Sequence, residues 1–362
     1  MHPETLELID KLNWMYRVID TAYLFRNEDV NDFSKRVILR IIFVQVDNLL
    51  KIIGNIKNNL YREGLINQIE KKQFEENIKT LKKSYENSFD IVRDKLTAHG
   101  QPIDLIELVD WWQAIDYTTI EIIYHDSKTV QSDLKEIKDV KLLSIPDYLP
   151  IKVPSTSILS KSNNKAKISA DRLGLAKSNT IALIACNETQ EKAQLIVSVI
   201  SFLENNFELT KILNNPEGIF KTILFDIGWM LVIIDLVSLI DNMFEETTHD
   251  KSLLAYWKDD MDGYEYLKFV NKQRNYEFET SIRSIRKTFC AHVDSTKSIK
   301  DLYSSFCSLD LSQIANYTAF IINGFYTACR KDVRTGTFLM NNMDIGGYED
   351  VNVISGTKPF DN

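Results

Sequence analysis

A chain of 362 residues, 44% hydrophobic and 26% charged, is long enough for two domains that each bury a core, and its composition is that of a globular protein. The formal net charge of −8 excludes a broad, nonspecific clamp on nucleic acid while leaving room for a locally basic cleft. Cys186, Cys290, Cys307 and Cys329 show neither C-x-x-C pairing nor regular spacing, which argues against a disulfide scaffold or zinc site and for unpaired thiols in a reducing cytoplasm.

Nearly every segment reads as helix. The start, MHPETLELIDKLNW, is acidic and periodic, unlike a secretory signal. Residues 5–26 carry an amphipathic stripe through Leu6, Ile9, Leu12, Met15, Ile19 and Tyr23. Residues 32–55 are strongly apolar, and a charged turn near residues 61–64 leads into a long helix over 69–99, which Gly100 and Pro102 stop. Residues 105–124 complete a first unit.

The pattern then breaks over residues 126–179, where Pro146, Pro150 and Pro154 punctuate the chain and serine and asparagine crowd residues 155–164. That predicts an inter-domain linker, locally basic through Lys161, Lys165, Lys167, Arg172 and Lys177. Helices over 181–208, 219–245, 270–292 and 302–330 follow. The most apolar of them, from residue 219, contains Lys221, Asp226 and Asp235, which predicts a buried helix rather than a membrane span. Past Arg334 the helical character is lost. The expected fold is all-α: two tandem helical bundles related by internal duplication. The first domain covers residues 1–126, the linker 127–180, the second domain 181–332 and an irregular tail 333–362.

The duplication is read from two heptapeptides, Arg93-Asp94-Lys95-Leu96-Thr97-Ala98-His99 and Arg286-Lys287-Thr288-Phe289-Cys290-Ala291-His292. Arginine is about one residue in thirty and the chain has five histidines, so this repeat of Arg, Ala and His at fixed offsets is improbable by chance. Apolar stripes lead into both copies, ending at Val92 and Leu96 in the first and at Ile285 and Phe289 in the second.

An Arg/His pair suits RNA cleavage. The 2′-hydroxyl is a built-in nucleophile that needs a base, a leaving-group acid and positive charge on the phosphorane. Histidine supplies the proton transfers and arginine the fixed planar cation, with no metal or other cofactor required. Six residues of helix rise about 9 Å and turn the two side chains roughly 120° apart, so one pair serves a single phosphate poorly. Two such helices packed about a pseudo-twofold axis would bring both pairs into one cleft.

With these motifs the chain resembles the HEPN superfamily of all-α domains, many of them metal-independent ribonucleases of bacterial toxin and antiphage systems. Arg93-Asp94…His99 fits the family's arginine, polar residue and histidine, while Arg286-Lys287…His292 has lysine in the polar slot. The resemblance covers roughly residues 1–126 and 181–332, and its specific motifs are these heptapeptides alone. It implies an endoribonuclease with a composite site: His99 and His292 share acid–base work, Arg93 and Arg286 hold the phosphate, and Asp94, Lys95 and Lys287 support the site or bind RNA. It further implies RNA as substrate, an antitoxin or sensor protein as regulator, no membrane, and a cleft formed within one chain or across a homodimer.

The alternative is a noncatalytic HEPN-like scaffold for RNA or protein. A third reading, an HD-type metal phosphohydrolase, rests on His99 followed by His125-Asp126 and lacks a clear further ligand. Cys290 reads as a small buried hydrophobe, and Trp111-Trp112 as core packing ahead of base stacking.

Overall fold

The structure is a computed structural model that describes residues 1–30, 32–86, 93, 115, 117–137, 140, 199, 202, 205, 209, 221–245, 252–256, 258, 261–294 and 296–331. Among the described residues 84% are helical and none lies in a strand, so the protein is all-α there.

Helix α1 (Pro3–Phe25) starts where His2 caps it: His2 Nδ1 accepts from the Glu4 amide, Pro3 opens the first turn, and Glu4 complements the helix dipole. The strongly apolar segment over 32–55 falls into two helices, α2 (Asp32–Leu39) and α3 (Ile41–Arg62). Arg40 makes the break. Its buried guanidinium donates through Nε to the Val37 carbonyl at 3.1 Å and reaches across the molecule to Asp235. At the other end of α3, Gly64 takes φ 69°, and the Leu65 amide returns to the Leu60 carbonyl at 3.0 Å.

Asn67 then caps α4 (Gln68–Glu86), accepting from the Ile69 and Glu70 amides while Glu70 accepts from the Asn67 amide, a reciprocal capping box. The helix read as ending at residue 124 continues: α5 spans Tyr117–Lys135 because Ile123, Ser127, Val130, Gln131 and Leu134 extend its buried stripe. Helix α1 packs on α3, α3 on α4 and α4 on α5, and α5 returns to α1, closing a four-helix ring. Polar bonds pin the seams. Lys57 pairs with Glu75, Asn77 donates to Asp133, and Tyr16 donates from inside the core to the Ser127 carbonyl at 2.9 Å.

The second half is built on α6 (Lys221–Phe244). By length and composition α6 is apolar enough to cross a membrane, yet every residue of Ile223–Phe244 except the half-buried Asp241 is buried inside the protein, as expected for a core helix. Around it follow α7 (Leu253–Tyr256), α8 (Met261–Lys272), α9 (Tyr276–Ile285), a π-helical turn (Arg286–Cys290), α10 (Ile299–Cys307) and α11 (Leu311–Lys331).

The readings of single helices over 270–292 and 302–330 are therefore corrected. Asn275 leaves the helix to accept from the Phe278 amide and cap α9. Asp310 does the same for α11, accepting from the Ser312 and Gln313 amides. Of the helix read over 181–208, Val199, Phe202 and Asn205 are described, and they are helical and buried, as is Leu209 just beyond. The linker core and the tail from residue 332 lie outside the described residues.

The two halves share a continuous core. Trp14 of α1 stacks on Phe289 of the π-turn, with ring centroids 5.3 Å apart, and meets Tyr303 of α10 at 5.2 Å. Arg40 and Asp235 form a two-pronged pair at 0% exposure between α2–α3 and α6.

Candidate functional site

The second motif sits where α9 loosens. At Arg286 the backbone passes from α to π geometry, and the Ala291 amide reaches five residues back to the Arg286 carbonyl at 2.8 Å. The wider turn buries Phe289 against Trp14, Tyr303 and Phe306, and seals Cys290 from solvent. Burial pushes the Cys290 thiol far above its usual range, so it is the inert apolar group expected. His292 follows two residues beyond the turn and is half-buried, while Lys287 is exposed.

Arg286 looks inward. Burial lowers its pKa, opposed first by the charge of Asp241, while Arg283 adds to the lowering and Asp235 opposes it. A guanidinium in that setting stays charged. Its charge is felt by Asp241 and Asp235 of α6.

The first motif is described only at Arg93; Asp94, Lys95 and His99 lie outside the described residues, as does Trp111-Trp112. Arg93 is 9% exposed and π-helical, and its Nε lies 3.2 Å from Asp47 Oδ2 on α3. Asp47 also takes Lys51 Nζ at 2.6 Å. Among the described residues, π geometry occurs at Arg93 and at Arg286–Cys290 alone, so the arginines of both heptapeptides share an uncommon backbone state.

Helix α3 brings the motifs together. Asp47 holds Arg93, and the next residue, Asn48, accepts from the Val293 amide at 3.4 Å, one residue past His292. The two anchors are consecutive residues, about 3.8 Å apart along the chain. Arg93 and the His292 loop thus both touch one turn of α3, from side chains that leave the helix about 100° apart, while the charge of Arg286 faces α6.

Sequence reasoning passed over Asp47, Asn48 and Lys51. A signal was present: Gln45, Asp47 and Asn48 interrupt the apolar run Ile41, Ile42, Phe43, Val44, Val46 and Leu49. Gln45 and Asn48 are buried, and neither the Gln45 amide nor Asn48 Nδ2 has a hydrogen-bond partner among the described residues. Buried amides in an apolar stripe are costly enough to ask what they face.

The residues behind the HD-type reading have other partners. His125 lies on the surface 3.5 Å from Glu121, and Asp126 accepts from Ser84 at 2.6 Å. Among the described residues no three His, Cys, Asp or Glu side chains are grouped to hold a metal ion. No family model, no curated protein and no solved structure matches the chain.

Proposed function

We propose that the protein is a metal-independent endoribonuclease whose composite site draws on both Arg/His motifs. The observation that carries this reading is that Arg93 and the backbone just after His292 are both anchored on neighbouring residues of α3, Asp47 and Asn48. Arginine there would fix the scissile phosphate and stabilise the phosphorane, and histidine would move the protons. The π geometry common to both arginines supports the reading of a repeated unit. His99 completes the acid–base pair in this proposal, and Arg286 contributes charge from the α6 side. The setting, a toxin or antiphage system regulated by an antitoxin or sensor protein in the cytoplasm, rests on the HEPN resemblance.

The test is single-turnover cleavage of labelled RNA in the presence of EDTA. Wild type should yield 2′,3′-cyclic phosphate and 5′-hydroxyl ends, and His99→Ala and His292→Ala should each slow cleavage by about 10²–10⁴-fold. Cleavage that stops with EDTA and returns with manganese would move the protein to the metal-dependent class.

A second reading, the noncatalytic HEPN-like scaffold, is favoured by one observation: both arginines sit beside carboxylates, Asp47 for Arg93 and Asp241 for Arg286. Such arginines can serve as struts. Under that reading no RNA is cut, and Arg93→Ala lowers stability while RNA or partner binding persists in the histidine variants.

A further inference from the structure

Helix α3 runs beneath the two motifs, and two adjacent side chains on it reach them: Asp47 the first and Asn48 the second. Asp47 meets the Arg93 guanidinium at Nε. The pairing is one of charge, and it draws the planar guanidinium toward α3. Asn48 is 2% exposed, lies between the buried Val46 and Leu49, and its described hydrogen bond runs to the loop amide after His292. A buried amide that spends its oxygen on a loop backbone restrains that loop more tightly than apolar packing would.

We infer that Asp47 and Asn48 are positioning residues of the Arg/His site, Asp47 setting the Arg93 guanidinium and Asn48 setting the loop that carries His292. The assignment deepens the ribonuclease reading and takes its catalytic meaning from it. Placing both anchors on consecutive residues of one helix makes the spacing of arginine and histidine a property of α3, and not of two flexible connections. The charged groups around the loop are Asp294 within it, Lys11 and Glu7 on α1, Asp47 and Lys51 on α3, Arg93, and Arg286 with Lys287 on the π-turn.

The experiment uses the full chain and reads His292 directly. The histidine ring signals are followed by NMR across pH in wild type, Asn48→Asp, Asn48→Leu and Asp47→Asn, with His292→Gln used to assign the resonance and thermal unfolding to verify the fold. Asn48→Asp keeps an oxygen for the Val293 amide and, once its buried carboxyl ionises, adds a negative charge beside the loop that should raise the His292 midpoint. The pH profile of single-turnover RNA cleavage should move with it. Asn48→Leu should speed hydrogen exchange at the Val293 amide. Asp47→Asn should shift the Arg93 Nε–H resonance and leave the His292 midpoint in place.

A His292 titration and a Val293 amide exchange rate both unchanged in folded Asn48→Asp and Asn48→Leu proteins overturn the inference. If the titration and resonance shifts occur while wild type cleaves no RNA in EDTA, α3 positions the pair as inferred and the ribonuclease reading alone falls.

Discussion

Asp226 shows how one buried carboxyl can set the pH response of the whole protein. It lies on α6 at 1% exposure and accepts from the Tyr303 hydroxyl at 3.1 Å. Burial raises its pKa to about 7, against smaller lowering by the Tyr303 hydrogen bond and the charge of Arg17. A carboxyl near 3.8 in the unfolded chain and near 7 in the folded one binds its proton more tightly when folded. Unfolding between those values releases a proton, so stability falls as pH rises from about 4 to 7 and then levels. Three units correspond to an upper figure of about 4 kcal/mol. Asp226→Asn keeps an acceptor for Tyr303 without the charge. Its melting temperature should exceed that of wild type at pH 8, and the two should converge by about pH 4. An equal difference at both pH values would remove Asp226 titration as the cause.

Between helices, α8 and α11 come close at Gly324. A methyl group there would come within 2.8 Å of Val270 Cγ1 and 3.1 Å of Cγ2, and the stiff valine cannot turn away. Gly324→Ala gains helix propensity of up to about 1 kcal/mol but overpacks a tight contact that costs about 1–3 kcal/mol. Denaturant unfolding should therefore show a net loss for the single variant, and Val270→Ala combined with Gly324→Ala should recover part of it. If Gly324→Ala alone stabilises the protein, the helices have room that the structure does not show.

Helix boundaries behave in a related way. Most of the described helices were legible because apolar spacing reports which face is buried, and α6 was legible as core because its aspartates interrupt the run. Helix α7 and most of α8 fall between the helices read over 219–245 and 270–292 and were passed over. The breaks at Arg40, Asn275 and Asp310 were not legible. Each depends on a side chain whose preferred partner is a backbone amide or a charge elsewhere in the fold, which periodicity does not register. The extension of α5 to Lys135 was missed for the converse reason, since Ser127 and Gln131 are polar residues on the buried face.

The candidate site divides likewise. Arg93 and His292 stood out from a repeated local spacing, whereas Asn48 reaches its partner across 245 residues of chain, a pairing that only tertiary structure creates.

At the scale of the whole molecule, the two halves are tied by a charge pair with no access to water. Arg40 meets Asp235 through Nη1–Oδ1 at 2.8 Å and Nη2–Oδ2 at 2.5 Å, and the charge of Arg286 also bears on Asp235. Burial raises the Asp235 pKa and Arg40 opposes that rise. A buried pair of this kind adds little net stability over an apolar replacement, but losing one partner strands the other charge at a cost of about 3–5 kcal/mol. Asp235→Leu alone should therefore unfold at much lower denaturant than wild type, and Arg40→Met with Asp235→Leu should regain most of the difference.

The double variant also separates scaffold from site. It restores the packing between α2–α3 and α6 yet removes a carboxylate that helps hold the Arg286 charge. Single-turnover RNA cleavage should then stay depressed at wild-type stability, with Arg286→Ala adding little further loss in that background. Full recovery of cleavage along with stability would show that Arg40 and Asp235 join the halves and do nothing for the arginine of the second motif.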